Sequence, residues 1–154
     1  ALPVVKYERW WHRPAPGGEF LDAMNILSVL VDARQDKAAV DALRLRDETR
    51  LGFEESESLL QRMLDAGWVG RIRAEKKRGW RFQRHEQLKL DQWVLLANPD
   101  KLTAAEVYRL FAFAPAPLSA LGAKVEQMLD SGLASPLSSY FKAPDAKANN
   151  ASST

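Results

Sequence analysis

Between Arg71 and Lys89 the chain gathers Arg71, Arg73, Lys76, Lys77, Arg78, Arg81, Arg84 and Lys89, opposed within that span by Glu75 and Glu86. Cations at this density can grip phosphate oxygens. The interleaved Trp80 and Phe82 add surfaces that can stack on bases or sit at a lipid interface. Three readings follow. The segment is a phosphate-contacting hairpin on nucleic acid, or it is drawn to anionic lipid headgroups with on the order of 1 kcal/mol per basic residue. The third is a solvated hairpin whose alternation puts arginines outside and aromatics inside. An opposite cluster, Glu54, Glu55 and Glu57, stands earlier in the chain. A second basic and aromatic group, Lys6, Tyr7, Arg9, Trp10, Trp11 and Arg13, lies near the start among prolines. It has the composition of a juxtamembrane segment, with rings at headgroup level, and equally that of an extended arm packed on the domain.

Catalytic chemistry finds little to use. His12 sits in the proline-rich arm and His85 in the basic segment, and neither has a second His or Cys at ligand spacing. A zinc site needs about four ligands, or three and a water, and Glu8 and Glu86 do not complete one. Ser56, Ser58 and Ser119 have no base nearby in sequence, and no Gly-x-Ser-x-Gly elbow is present. Gly17-Gly18 is not followed by Gly-Lys-Ser/Thr, so it is no phosphate loop. These residues assign no catalytic group, no metal and no cofactor.

Composition sets the frame. At 154 residues, 46% hydrophobic and 27% charged, the chain matches an ordinary globular domain with a real core. Net charge is only +2, so any affinity for polyanions must come from local clustering. The absence of cysteine excludes disulfides, thiolate metal sites and cysteine nucleophiles, and fits a reducing compartment. No run reaches the roughly 18 to 20 apolar residues of a membrane span, since Met24 to Val31 is short and broken by Asn25 and Ser28. The start, at Ala1, is not that of a signal peptide. It is expected to be either a cut from a longer protein or the result of Met removal.

Helix and strand signals place these clusters along the fold. Residues 1–18 form an aromatic and basic arm or juxtamembrane linker. Phe20, Met24, Leu27 and Val31 recur at helical spacing, with Ala23 and Leu30 beside them, and predict an amphipathic helix. A second, weaker helix is expected from about Val40 to Arg50. A third carries Leu59, Leu60, Met63 and Leu64, has Glu54, Glu55 and Glu57 in its first turns, and stops at Gly67. Trp68 to Arg73, Trp80 to Arg84 and Gln92 to Ala97 read as strands around Lys76-Lys77-Arg78-Gly79. Thr103-Ala104-Ala105-Glu106 is a capping box for a helix carrying Val107, Leu110 and Phe111, closed by Pro115 and Pro117. Leu118, Leu121, Val125 and Met128 predict one more helix, stopped near Gly132, and residues 143–154 form a small, polar, disordered tail.

Helix, helix, helix, strand, wing, strand is the order of a winged helix-turn-helix. The expected fold class is therefore α+β, mainly helical, with a long basic wing and two additional C-terminal helices. Residues 19–98 would form the winged-helix domain and 99–142 the helical extension. In such a fold the start of the third helix meets base edges close to phosphates. A single glutamate can read cytosine. Glu54, Glu55 and Glu57 together, with Arg62 the one cation in that helix, repel the groove instead.

Leu51-Gly52-Phe53-Glu54-Glu55, Leu59-Leu60-x-x-Met63-Leu64, Ala66-Gly67-Trp68-Val69, the stretch Trp93 to Asp100 and Thr103 to Phe111 together resemble the C-terminal cytoplasmic domain of the YihY/BrkB family. These are bacterial inner-membrane proteins often mislabelled ribonuclease BN. The resemblance runs from about Glu19 to Pro115, and the segment from Arg73 to Asp91 is longer and more basic than the usual family wing. It implies an upstream multi-helix membrane domain, a place on the cytoplasmic face of the inner membrane, and no catalytic residues to carry over. The expected function is a regulatory or protein-interaction module. Its partners would be its own membrane domain, anionic lipid through Arg71 to Arg84, and an unknown protein through Glu54, Glu55 and Glu57. The alternatives are a DNA-binding transcriptional regulator and, from the legacy label, a ribonuclease.

Overall fold

A computed structural model describes residues 17–74, 90–112 and 119–141. The elements run α1 (Gly18–Gln35), β1 (Val40–Asp41), α2 (Ala42–Thr49), α3 (Phe53–Asp65), β2 (Val69–Ile72), β3 (Gln92–Leu95), α4 (Ala104–Phe111), α5 (Ala120–Gly132) and α6 (Leu137–Phe141). The strands form one antiparallel sheet in the order β1-β3-β2. Val40 pairs with Trp93, and β2 and β3 run from Val69 opposite Leu95 to Ile72 opposite Gln92.

α1 was expected to have one apolar stripe and proves to be the centre of the molecule. Ala23, Ile26, Leu27, Val29, Leu30, Val31 and Ala33 are buried and leave it only a narrow wet side, as for a helix with neighbours on most faces. α2, α3, α4, α6 and β3 all pack against it. Leu45, Leu60, Met63, Val69, Trp93, Val107 and Leu137 complete the same core. α4 and α6, which follow β3, thus share the interior of the winged helix.

Local signals position the ends. α3 closes as foreseen: Gly67 has φ +79°, the Trp68 amide donates to Met63 O (2.9 Å) and the Gly67 amide to Leu64 O (3.0 Å). A side chain at that φ would be strained. The capping box of α4 is also present, with Glu106 Oε2 accepting from the Thr103 amide at 2.9 Å and Thr103 Oγ1 accepting from the Glu106 amide at 3.3 Å. Before it, the Asn98 side chain accepts from the Asp100 amide (2.9 Å), an Asx turn that swings the chain from β3 into α4.

Three details depart from the sequence reading. The helix expected from Val40 begins at Ala42, because Val40 and Asp41 pair with β3 and the Asp41 side chain caps the helix by accepting from the Arg44 amide (2.8 Å). In α5 the apolar stripe faces outward: Leu121 is 73% and Met128 64% exposed, while Gly122 and Leu129 are buried. Arg109 of α4 orients that helix by pairing with Glu126 and Asp130, so ion pairs and a small residue choose its inner face. Finally, α6 follows the two expected C-terminal helices. Its Leu137 amide donates to Leu102 O at 2.8 Å, which returns the chain to the start of α4.

Ile26→Ala is expected to cost about 2–5 kcal/mol, as a buried large-to-small change does. Leu121→Ala should stay within about 0.5 kcal/mol. Urea unfolding of both variants checks the assignment; equal losses would contradict it.

Candidate interaction surface at the root of the wing

β2 and β3 bring together residues that the sequence placed in separate clusters. Arg71 stands opposite Trp93 in the β2–β3 ladder. Alternation puts residues 71, 91 and 93 on one face of the hairpin, the face turned towards α3. The Arg71 guanidinium lies over the Trp93 ring, 5.1 Å from its centroid. It pairs with Asp91 Oδ2 at 2.6 Å and with Glu57 Oε1 of α3 at 3.1 Å. Asp91 in turn accepts from the Ala74 amide through Oδ1 (2.9 Å), which ties the two strands together where the wing leaves them. For this arginine the hairpin alternation is therefore the reverse of a cation-out pattern: Arg71 points in and Ile72, next to it, is exposed.

Beside this cluster lies a cleft of about 340 Å³, lined by Phe53, Leu60, Leu90 and Trp93 along with the three charged residues. Its charges are spent on one another. Ser56 donates to Gly52 O at 2.9 Å, within the first turn of α3. Among the described residues no buried side-chain nitrogen or oxygen lacks a hydrogen-bond partner. Among the same residues no group of three or more His, Cys, Asp or Glu stands together as a metal site would require.

The acidic cluster on α3 divides by role. Glu54, Glu55 and Glu57 are all exposed. Glu55 Oε2 accepts from the Gly52 amide (2.8 Å) and closes the helix N-terminus, Glu57 is bound to Arg71, and Glu54 faces solvent. Arg62, the cation of that helix, turns to the start of α1 and the end of α4. It pairs with Glu19 (2.9 Å), donates to Leu110 O and lies over the Phe111 ring, 4.7 Å from the centroid. Arg73 is exposed just beyond β2. Lys76, Lys77, Arg78, Arg81 and Arg84 of the wing fall outside the described residues, as do Lys6, Arg9, Trp10, Trp11 and Arg13 of the arm. Nothing in the sequence marks Asp91 as a partner of Arg71. Only the hairpin register reveals it, because the two residues are diagonal neighbours once Arg71 faces Trp93.

No family model matches the chain. Curated relatives do. It is 51% identical over 144 residues to a UPF0761 membrane protein of Janthinobacterium sp. (strain Marseille), covering 92% of this chain and 33% of that protein. It is 30% identical over 134 residues to the UPF0761 membrane protein of Nitrosospira multiformis, covering 84% of this chain and 28% of that one. This chain is related to the UPF0761 membrane proteins, the YihY/BrkB family. It spans about a third of the length of the relatives it matches. Among solved structures, CymR of Staphylococcus aureus aligns with TM-score 0.55 and 12% identity, over 82% of this chain and 98% of that one. CymR (YrzC), the global cysteine regulator of B. subtilis, aligns with TM-score 0.56 and 17% identity, over 80% and 93%. At such identity the likeness speaks for the fold alone, a winged helix with C-terminal helices. No described helix of this UPF0761 relative is long and apolar enough to cross a membrane.

The Asp91 carboxyl is held below its ordinary range, first by the Ala74 amide and then by the Arg71 guanidinium, with Arg73 adding to the field. Its pKa in the unfolded chain is near 4. A depressed folded value means that its stabilising contribution is complete above that pH and is lost as pH falls through the lower, folded value. Asp91→Asn should therefore lower stability at neutral pH and flatten the acid limb of stability against pH. Parallel acid limbs for the two proteins would contradict the clamp.

Proposed function

We propose that the chain is a regulatory or protein-interaction module on the cytoplasmic face of a longer membrane protein, with no catalysis of its own. Its basic wing lies against anionic headgroups. Its acidic third helix is left for a protein partner or for the protein's own membrane-embedded part. One observation carries this reading: the helix that would enter a DNA groove exposes Glu54, Glu55 and Glu57 at its leading end, while Arg71, the nearest wing cation, is turned inward onto Glu57 and Asp91. Negative charge at that position opposes phosphate contact. Kinship with membrane proteins about three times as long supports a setting beside a bilayer.

The second reading, a DNA-binding regulator, draws on the fold shared with CymR. It requires salt-dependent duplex binding, which loss of the wing cations would abolish. A ribonuclease would require RNA cleavage by the purified chain.

Co-sedimentation with phosphatidylglycerol-containing and with neutral phosphatidylcholine vesicles tests the proposal. Binding should be confined to the anionic vesicles. Reversal of Lys76, Lys77 and Arg78 to Glu should weaken it on the order of 100-fold or more, from about 1 kcal/mol per cation. Equal, negligible binding to both vesicles would remove the lipid contact from the account.

A further inference from the structure

The outward face of the sheet differs in character from its inner face. Residues 70, 72, 92, 94 and 96 share it by alternation, with Gly70 opposite Val94 and Ile72 opposite Gln92. Val94 and Leu96 lean across the space that Gly70 leaves: a Cβ at Gly70 would lie 3.3 Å from Val94 Cγ2 and 3.3 Å from Leu96 Cδ1. The result is an apolar surface open to solvent and edged by the exposed Gln92, with Leu96 61% and Ile72 49% exposed. Large apolar side chains placed together in this way mark a contact surface more often than a lone exposed leucine does.

Charge selects the occupant. At the wing end of this face Arg73 is exposed, and the sequence runs on into Lys76, Lys77 and Arg78. Of the described carboxylates nearby, Asp91 holds Ala74 and Arg71 on the opposite face, and Asp41, level with Gln92 in the ladder, is bonded to the Arg44 amide as the cap of α2. An apolar face with an exposed arginine at its edge, and with its nearby carboxylates bonded to backbone amides, complements a surface that is negative at the rim and apolar within. An anionic bilayer is such a surface.

We infer that Ile72, Val94 and Leu96 form the part of this chain that enters the boundary between headgroups and acyl chains, with Arg73 against the phosphates. The inference rests on the membrane-surface reading above and deepens it. It predicts that binding has an apolar component seated on the sheet as well as an electrostatic one in the wing.

The chain has no cysteine, so a single introduced one reports on one place. Leu96→Cys carrying an environment-sensitive fluorophore is compared with Ser58→Cys on the exposed side of α3, in the full 154-residue chain. On phosphatidylglycerol vesicles the label at position 96 should shift to the blue and become shielded from aqueous iodide, while that at 58 stays in water. The unlabelled double variant Ile72→Thr with Leu96→Thr keeps β-forming residues at exposed positions. It should match the parent in circular dichroism and urea midpoint and partition to these vesicles on the order of tenfold less. If the chain sediments with anionic vesicles but the label at 96 stays aqueous, or the double variant partitions like the parent, the inference fails and the electrostatic reading stands. If the unlabelled parent does not sediment at all, both fall. A blue shift at 96 that grows with protein concentration in the absence of lipid assigns the face to a second copy and overturns the inference.

Discussion

The burial of one helix sets the terms for the remainder of the molecule. Ile26, Leu27 and Leu30 of α1 are at most 1% exposed, and almost every other element rests on that helix. A helix enclosed this way cannot shift without opening the core, since close-packed interiors do not deform continuously. Its fixed position decides where β3 lies, and β3, as the middle strand, decides where β2 and the root of the wing begin. It also places Glu19, at its own first turn, within reach of Arg62, so the entry of the chain into the domain is tied to α3 and to the end of α4.

On that frame Arg71 decides how the charged surface is used. A guanidinium above Trp93 and between Glu57 and Asp91 has its fork occupied on two sides. Surface ion pairs are worth little singly. Here, though, Arg71 of β2 joins Glu57 of α3 to Trp93 of β3 and to Asp91 just before it, so the cluster fixes direction more than it adds stability. It sets two described cations apart as well: Arg71 serves the fold, and Arg73, just beyond β2, is exposed. The same inward turn of residues 71, 91 and 93 sends Ile72, Val94 and Leu96 outward. Thus the charged cluster and the apolar outer face are two consequences of one strand register.

Much of this fold was legible where a signal is local. Gly67 had to stop α3, since few residues other than glycine accept its positive φ, and Thr103 with Glu106 announced the start of α4 four residues at a time. Leu59, Leu60 and Met63 likewise pointed inward as their spacing required. Signals that depend on a distant partner were not legible. Val40 and Asp41 are too short a strand to show any period, and only β3 makes them one. Leu121 and Met128 share a helical face, but periodicity cannot say whether that face or the side holding Glu126 and Asp130 will meet α4; Arg109 settles it. Arg71 read as one more wing cation because its ion pairs bridge 14 and 20 positions of sequence.

The proposed role sets the basic wing against a bilayer and keeps the third helix out of a DNA groove. The most direct measurement is a competition at low salt, with the chain bound to phosphatidylglycerol vesicles and a mixed-sequence DNA duplex added at equal phosphate concentration, followed by sedimentation of the vesicles. The protein should stay with the vesicles, and the duplex should displace little of it. Complete transfer of the protein to the duplex would contradict that role.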